Sequence, residues 1–80
     1  MHMTYVHARI IKVLKSRNGL AKVEILHRDD GRYEYRAFTW LEADEELRDP
    51  AYWSPTSESG LYESAEQAEL DASRLVEKSY

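Results

Sequence analysis

Two histidines, a run of carboxylates and a set of bases interleaved with aromatic rings are the parts of this 80-residue chain that have chemistry to offer. His7 and His27 would need a hydroxyl or carboxylate neighbour to act as acid, base or nucleophile activator. No nucleophile-elbow motif accompanies them, and Gly19, Gly31 and Gly60 all sit in turn-like contexts rather than in a phosphate-cradling loop. A strand histidine beside a tyrosine is read as structural, so no catalytic residue and no enzyme is expected. Asp44, Glu45, Glu46 and Asp49 are close enough in sequence to suggest a divalent ion. They lack the alternating oxygen spacing and the glycine of a calcium loop. A solvated acidic surface is the reading taken, with no metal and no cofactor. Asp29-Asp30 precedes Gly31 and is turn chemistry rather than an acid/base pair. The chain has no cysteine, which excludes disulfide scaffolds, Cys-zinc sites and thiol chemistry.

The aromatics carry more. Six Tyr, two Trp and one Phe are many for this length, and such side chains serve small cores and interfaces alike. Phe38 and Trp40 fall near Lys12, Lys22 and Arg36, with Leu14 on the same predicted face. Rings beside bases on a sheet are how single-stranded nucleic acids are held. The net charge of −4 counts against that partner, because phosphate neutralisation dominates such affinity. Lys12, Leu14, Lys22, Arg36, Phe38 and Trp40 are therefore read as a binding face. A protein or a second copy of the chain is its first partner, and nucleic acid the alternative. Charge is also segregated along the chain. Residues 1–36 hold eight bases against four acids, residues 37–80 three bases against eleven acids. The ordinary reading is two solvated surfaces; the sharper one is a basic face for an anionic partner, or head-to-tail self-association.

The elements that must position these side chains are short. Residues 5–16, 20–28 and 32–40 are rich in β-branched and aromatic types, separated by Asn18-Gly19 and Asp30-Gly31. Three-residue loops at 17–19 and 29–31 predict a row Ile11, Ile25, Tyr35 and a row Val13, Val23, Ala37 on a core face. The same register aligns Lys12, Glu24 and Arg36 on the second face, acid between two bases. A bulge at Ile10-Ile11 would shift one end. Residues 41–51 are acidic and predict a short helical turn ending before Pro50. Tyr52-Trp53-Ser54 is a candidate fourth, edge strand stopped by Pro55, and 54–60 a loop. One helix cannot cover both sheet faces, so either residues 41–62 cover part of the second face or a partner does.

Ser64 and Gln67 stand at capping-box spacing, and the helix they open should run to about residue 78. Ala65, Ala68, Ala72, Leu75 and Val76 share one side at helical spacing, with Asp71, Arg74 and Glu77 outside and Leu70 off the apolar stripe. The stretch Leu61-Tyr62-Glu63-Ser64-Ala65-Glu66-Gln67-Ala68-Glu69 resembles the strand-to-helix junction of YegP-like bacterial domains, with Leu61, Tyr62, Ser64, Ala68 and Glu69 at the matching positions. That resemblance covers nine residues and implies a fold, a bacterial setting and no activity.

The expected architecture is a single α+β domain over residues 1–80: a three- or four-stranded antiparallel β-meander, then one C-terminal helix packed on one face. A chain this short buries only about 60% of its unfolded surface, so the core must be small. No apolar run approaches a membrane span, so no membrane contact is expected, and the missing cysteines point to the cytoplasm. His2-Met3 is what a common cloning site encodes, so Met3 is read as the natural start. The expected function is a non-catalytic protein-interaction module.

Overall fold

The structure, a computed structural model, describes residues 7–77; the reading of residues 1–3, the first two residues of the predicted 5–16 run and Lys78 lie outside that range. Four strands, β1 (Ala8–Lys15), β2 (Ala21–Arg28), β3 (Tyr33–Leu41) and β4 (Tyr52–Glu58), form an antiparallel meander in the order β1-β2-β3-β4. A single helix, α1 (Ala65–Glu77), follows and lies across β1, β2 and β3 on one face, so the domain is α+β as expected.

The β2–β3 hairpin has the predicted register, with Ile25 opposite Tyr35, Glu24 opposite Arg36 and Val23 opposite Ala37. Its turn is closed by backbone bonds from Arg28 to Arg32 and from Gly31 to Arg28, with Gly31 at φ 85°. Left-handed backbone of that kind suits a residue without a Cβ.

The β1–β2 register differs from the expectation. Lys12 lies opposite Ile25, Val13 opposite Glu24 and Leu14 opposite Val23, whereas Ala8, Arg9 and Ile10 keep the predicted partners Arg28, His27 and Leu26. The cause is local. Ser16 pairs with Ala21 through Ser16 N–H to Ala21 O (2.9 Å), leaving the four residues 17–20 in the loop. The Ser16 side chain holds this longer loop: its hydroxyl donates to Asn18 Oδ1 (2.7 Å) and accepts from Ala21 N–H (3.1 Å). At the other end His7 O accepts from Asp29 N–H (2.8 Å). With both ends pinned, the extra residue is absorbed as a bulge at Ile11, within the Ile10-Ile11 step where the sequence reading allows one. Side chains after the bulge change faces. Leu14 enters the core that Val13 was expected to fill, and Ile11 and Val13 are left about 44% and 43% exposed.

The core is thin. Val23, Ile25 and Ala37 of the sheet meet Ala68 and Ala72 of α1, all five buried, with Leu14, Tyr33, Tyr35, Tyr62, Leu75 and Val76 packed around them. The two alanines bring the helix backbone close to the sheet. The helix starts where its cap signal stands: Ser64 Oγ accepts from Gln67 N–H (3.2 Å) and Ser64 O from Ala68 N–H (3.3 Å). Leu70 is exposed, as its position off the stripe predicts.

Residues 41–62 depart from expectation in two ways. The turn at 45–48 is not helical; Asp44 and Asp49 bridge its ends, and Asp44 Oδ1 accepts from Glu46 and Leu47 N–H. Arg48 there has φ 58°. Strand β4 does not stop at Ser54. It continues through Pro55 to Glu58, with a register shift near Thr56, so residues 54–58 are strand rather than loop. Proline is tolerated because β4 is an edge strand with one neighbour. Beyond it the chain stays beside β3. Ser59 N–H donates to Tyr35 O, and Tyr33 and Tyr62 exchange two backbone bonds (2.9 and 2.8 Å) before the crossover to α1.

Candidate partner-binding face

The helix covers one face of the sheet, and residues 42–51 fold on themselves in a solvent-exposed loop. Residues 52–58 widen the sheet instead of covering it. The second face therefore carries no layer of secondary structure among the described residues. Alternation from the observed registers places on it Ile10 and Val13 of β1, Lys22, Glu24 and Leu26 of β2, Glu34, Arg36, Phe38 and Trp40 of β3, and Trp53 and Pro55 of β4. Leu26 is buried, but Ile10 is about 52% exposed and the three large rings are half-buried.

At the β3–β4 end the rings form one cluster. Trp40 and Trp53 face each other across the strand pair, centroids 5.2 Å apart and planes at 65°, an edge-to-face contact. Lys22 reaches over this cluster, with Nζ 4.7 Å from the Trp53 ring centre and 5.2 Å from that of Phe38. Leu20, in the loop before β2, accepts from Trp40 N–H (2.8 Å) and adds an apolar rim.

The charges on this face are largely neutralised in place. Lys22 Nζ pairs with Glu24 (3.2 Å), and Glu34 pairs with both Arg28 (3.7 Å) and Arg36 (3.1 Å). Arg28 is also held by Asp30 (2.8 Å). Glu24 and Arg36 share a register row as predicted, but each takes its ion partner from its own strand.

Of the six residues predicted for a binding face, Lys22, Arg36, Phe38 and Trp40 come together on it. Lys12 and Leu14 do not. The bulge turns both towards the helix, where Lys12 Nζ pairs with Glu69 of α1 (2.9 Å) and Leu14 packs on the core. In their place the face gains Val13, which the three-residue loop had assigned to the core side, and Trp53. Trp53 carried no sequence signal for its face, because alternation in a short edge strand has no fixed origin.

The histidines sit elsewhere. His27 stacks on Tyr33, ring centres 4.5 Å apart, at the rim of a shallow cleft of about 390 Å³ that His7, Arg9 and Asp29 also line. No group of three His, Cys, Asp or Glu converges among the described residues. No protein family, curated protein or solved structure matches the chain.

Proposed function

We propose that the chain is a non-catalytic protein-interaction module that binds through its open sheet face. The carrying observation is the contrast between the two faces: α1 covers one, while the other presents Ile10, Val13, Phe38, Trp40 and Trp53 with no layer over them among the described residues. Aromatic residues inside a mixed-charge rim are the composition of protein–protein hot spots. Nucleic acid is the weaker partner on this geometry, because Lys22, Arg28 and Arg36 already have carboxylate partners on the protein and would have to exchange them for phosphate. No helix among the described residues is long and apolar enough to cross a membrane. A cytoplasmic setting, as a bacterial-type accessory domain, fits the cysteine-free chain. The resemblance of residues 61–69 to YegP-like domains concerns the junction into α1 and adds no activity.

A site-specific photo-crosslinker tests the assignment. Placed at Val13 or Pro55 it should give a discrete protein adduct in cells of the source, and placed at Leu70, on the helix side, it should not. Equal adducts from both sides would overturn it. Salt-sensitive capture of oligonucleotide at Val13 or Pro55 would favour the nucleic-acid reading.

A further inference from the structure

The two edges of the sheet are guarded unequally. β4 carries Pro55, which has no N–H, and a register shift near Thr56, both of which spoil it as a template. β1 also carries a bulge, at Ile11, and bases that deter non-specific pairing, but it has no proline, so every one of its residues keeps an N–H. Ser16 donates to Ala21 and His7 accepts from Asp29, so alternation along the ladder turns the backbone groups of Ala8, Ile10, Val13 and Lys15 away from β2. Among the described residues no strand takes those bonds. Ile10, Ile11 and Val13 beside them are all exposed.

Charge narrows the occupant. β1 carries Arg9, Lys12 and Lys15 and no acid, and Arg17 follows in the loop. Lys12 is paired with Glu69, whereas Arg9, Lys15 and Arg17 form no ion pair among the described residues. A second copy of β1 would bring six bases on to two adjacent strands, which like-charge repulsion disfavours. An acidic strand meets the opposite case.

We propose that β1 accepts an extended, acidic segment of a partner protein as a fifth strand, with apolar side chains joining Ile10 and Val13 on the open face and carboxylates meeting Arg9 on the helix face and Lys15 and Arg17 at the end of the strand. Backbone bonds would supply affinity and the alternate side chains specificity. The inference shares Ile10 and Val13 with the proposed binding face but rests on the backbone edge, not on the tryptophan cluster.

The probes are two capped peptides the length of β1, one alternating valine with glutamate and carrying two glutamates at each end, the other with lysine in place of every glutamate. The readout is amide hydrogen exchange by NMR on the full chain. The amides of Ile10, Val13 and Lys15 should exchange rapidly in the free protein and become protected by the glutamate peptide, with the lysine peptide at least about tenfold weaker. Val13→Pro removes an outward donor without removing a bond to β2, and should abolish protection while the Val23 and Ile25 amides stay slow. Should that variant unfold, reversing charge at Arg9 and Lys15 to glutamate must swap the peptide preference. Protection of β1 in the free monomer, protection that grows with protein concentration alone, or equal binding of the two peptides would each overturn the proposal. Peptide shifts confined to the Trp40 and Trp53 indoles would overturn it too, while leaving the open-face reading intact.

Discussion

The Tyr62 hydroxyl donates to Asp71 Oδ2 at 2.7 Å, tying the last extended residue before the crossover to the middle of α1. Tyr62 is also bonded through its backbone to Tyr33, and its ring stacks at 6.1 Å on Tyr35. One side chain thus joins helix to sheet at the open end of the core. Burial first, and the Asp71 carboxylate second, push the Tyr62 phenol up to about 12 from its ordinary 10. Because the folded-state value is the raised one, its contribution is fully present below pH 10 and is lost as pH rises towards 12. Tyr62→Phe should cost about 1 kcal/mol at neutral pH. It should also flatten the loss of stability between pH 10 and 12, measured by denaturant melts against the parent. An identical slope in both proteins would mean that the fold does not hold the Tyr62 phenol in its neutral form.

A second prediction concerns the register of β1. Leu14 packs on the core and Val13 lies on the open face. Leu14→Ala should therefore cost at least about 2 kcal/mol, and Val13→Ala about 0.5 kcal/mol or less. Chemical denaturation of the two variants decides it. The reverse order would restore the three-residue loop and remove the bulge at Ile11.

The two serines near the crossover give a third. From sequence, Ser64 is a helix cap and Ser59 merely a loop residue. In the structure Ser59 Oγ accepts from Tyr35 N–H (2.8 Å) and donates to Gly60 O (2.7 Å), so it has at least as much to lose. Ser64→Ala should cost about 0.5–2 kcal/mol. Ser59→Ala should cost about 1–3 kcal/mol, since it leaves a part-buried donor of β3 without its acceptor. Thermal unfolding of both variants, with Ser57→Ala on the exposed part of β4 as a control near zero, reads the ranking.

The helix was readable from Ser64 and the alanine stripe, because a cap and a 3.6-residue period act over one short segment. The β2–β3 register was readable because Asp29-Asp30-Gly31 closes a turn by its own backbone preferences. The β1 register was not, because it depends on a Ser16 hydroxyl bonding across a four-residue loop, and a one-residue difference reverses every face. For that reason the sequence puts Lys12 and Leu14 on the wrong side of the sheet and Lys22, Arg36, Phe38 and Trp40 on the right one. Of β4 only Tyr52-Trp53-Ser54 is legible; Pro55 and the polar tail 56–58 hide the rest, and with it the register that fixes the face of Trp53.

A fourth prediction addresses the ring cluster. The Lys22 ammonium lies over Trp53 and Phe38 at cation–π distance while bonded to Glu24. A double-mutant cycle between Lys22→Met and Trp53→Leu should return a coupling of about 0.5–1 kcal/mol. It should persist in high salt better than the Lys22–Glu24 coupling, because salt screens the attraction of two full charges, even a partly buried pair, more than that of an ion for a ring quadrupole. No coupling would show that Lys22 is held by Glu24 alone.

The face carrying Trp40 has no layer over it among the described residues of the isolated chain. Iodide quenching of the single-tryptophan variant Trp53→Phe, in a monomer confirmed by sedimentation, tests it most directly, with Trp40→Phe reporting Trp53 in the same way. Quenching of Trp40 should be weaker than that of a free indole but substantial, and should fall when the partner captured through Val13 or Pro55 is added. A Trp40 strongly shielded from iodide in the free monomer would contradict it.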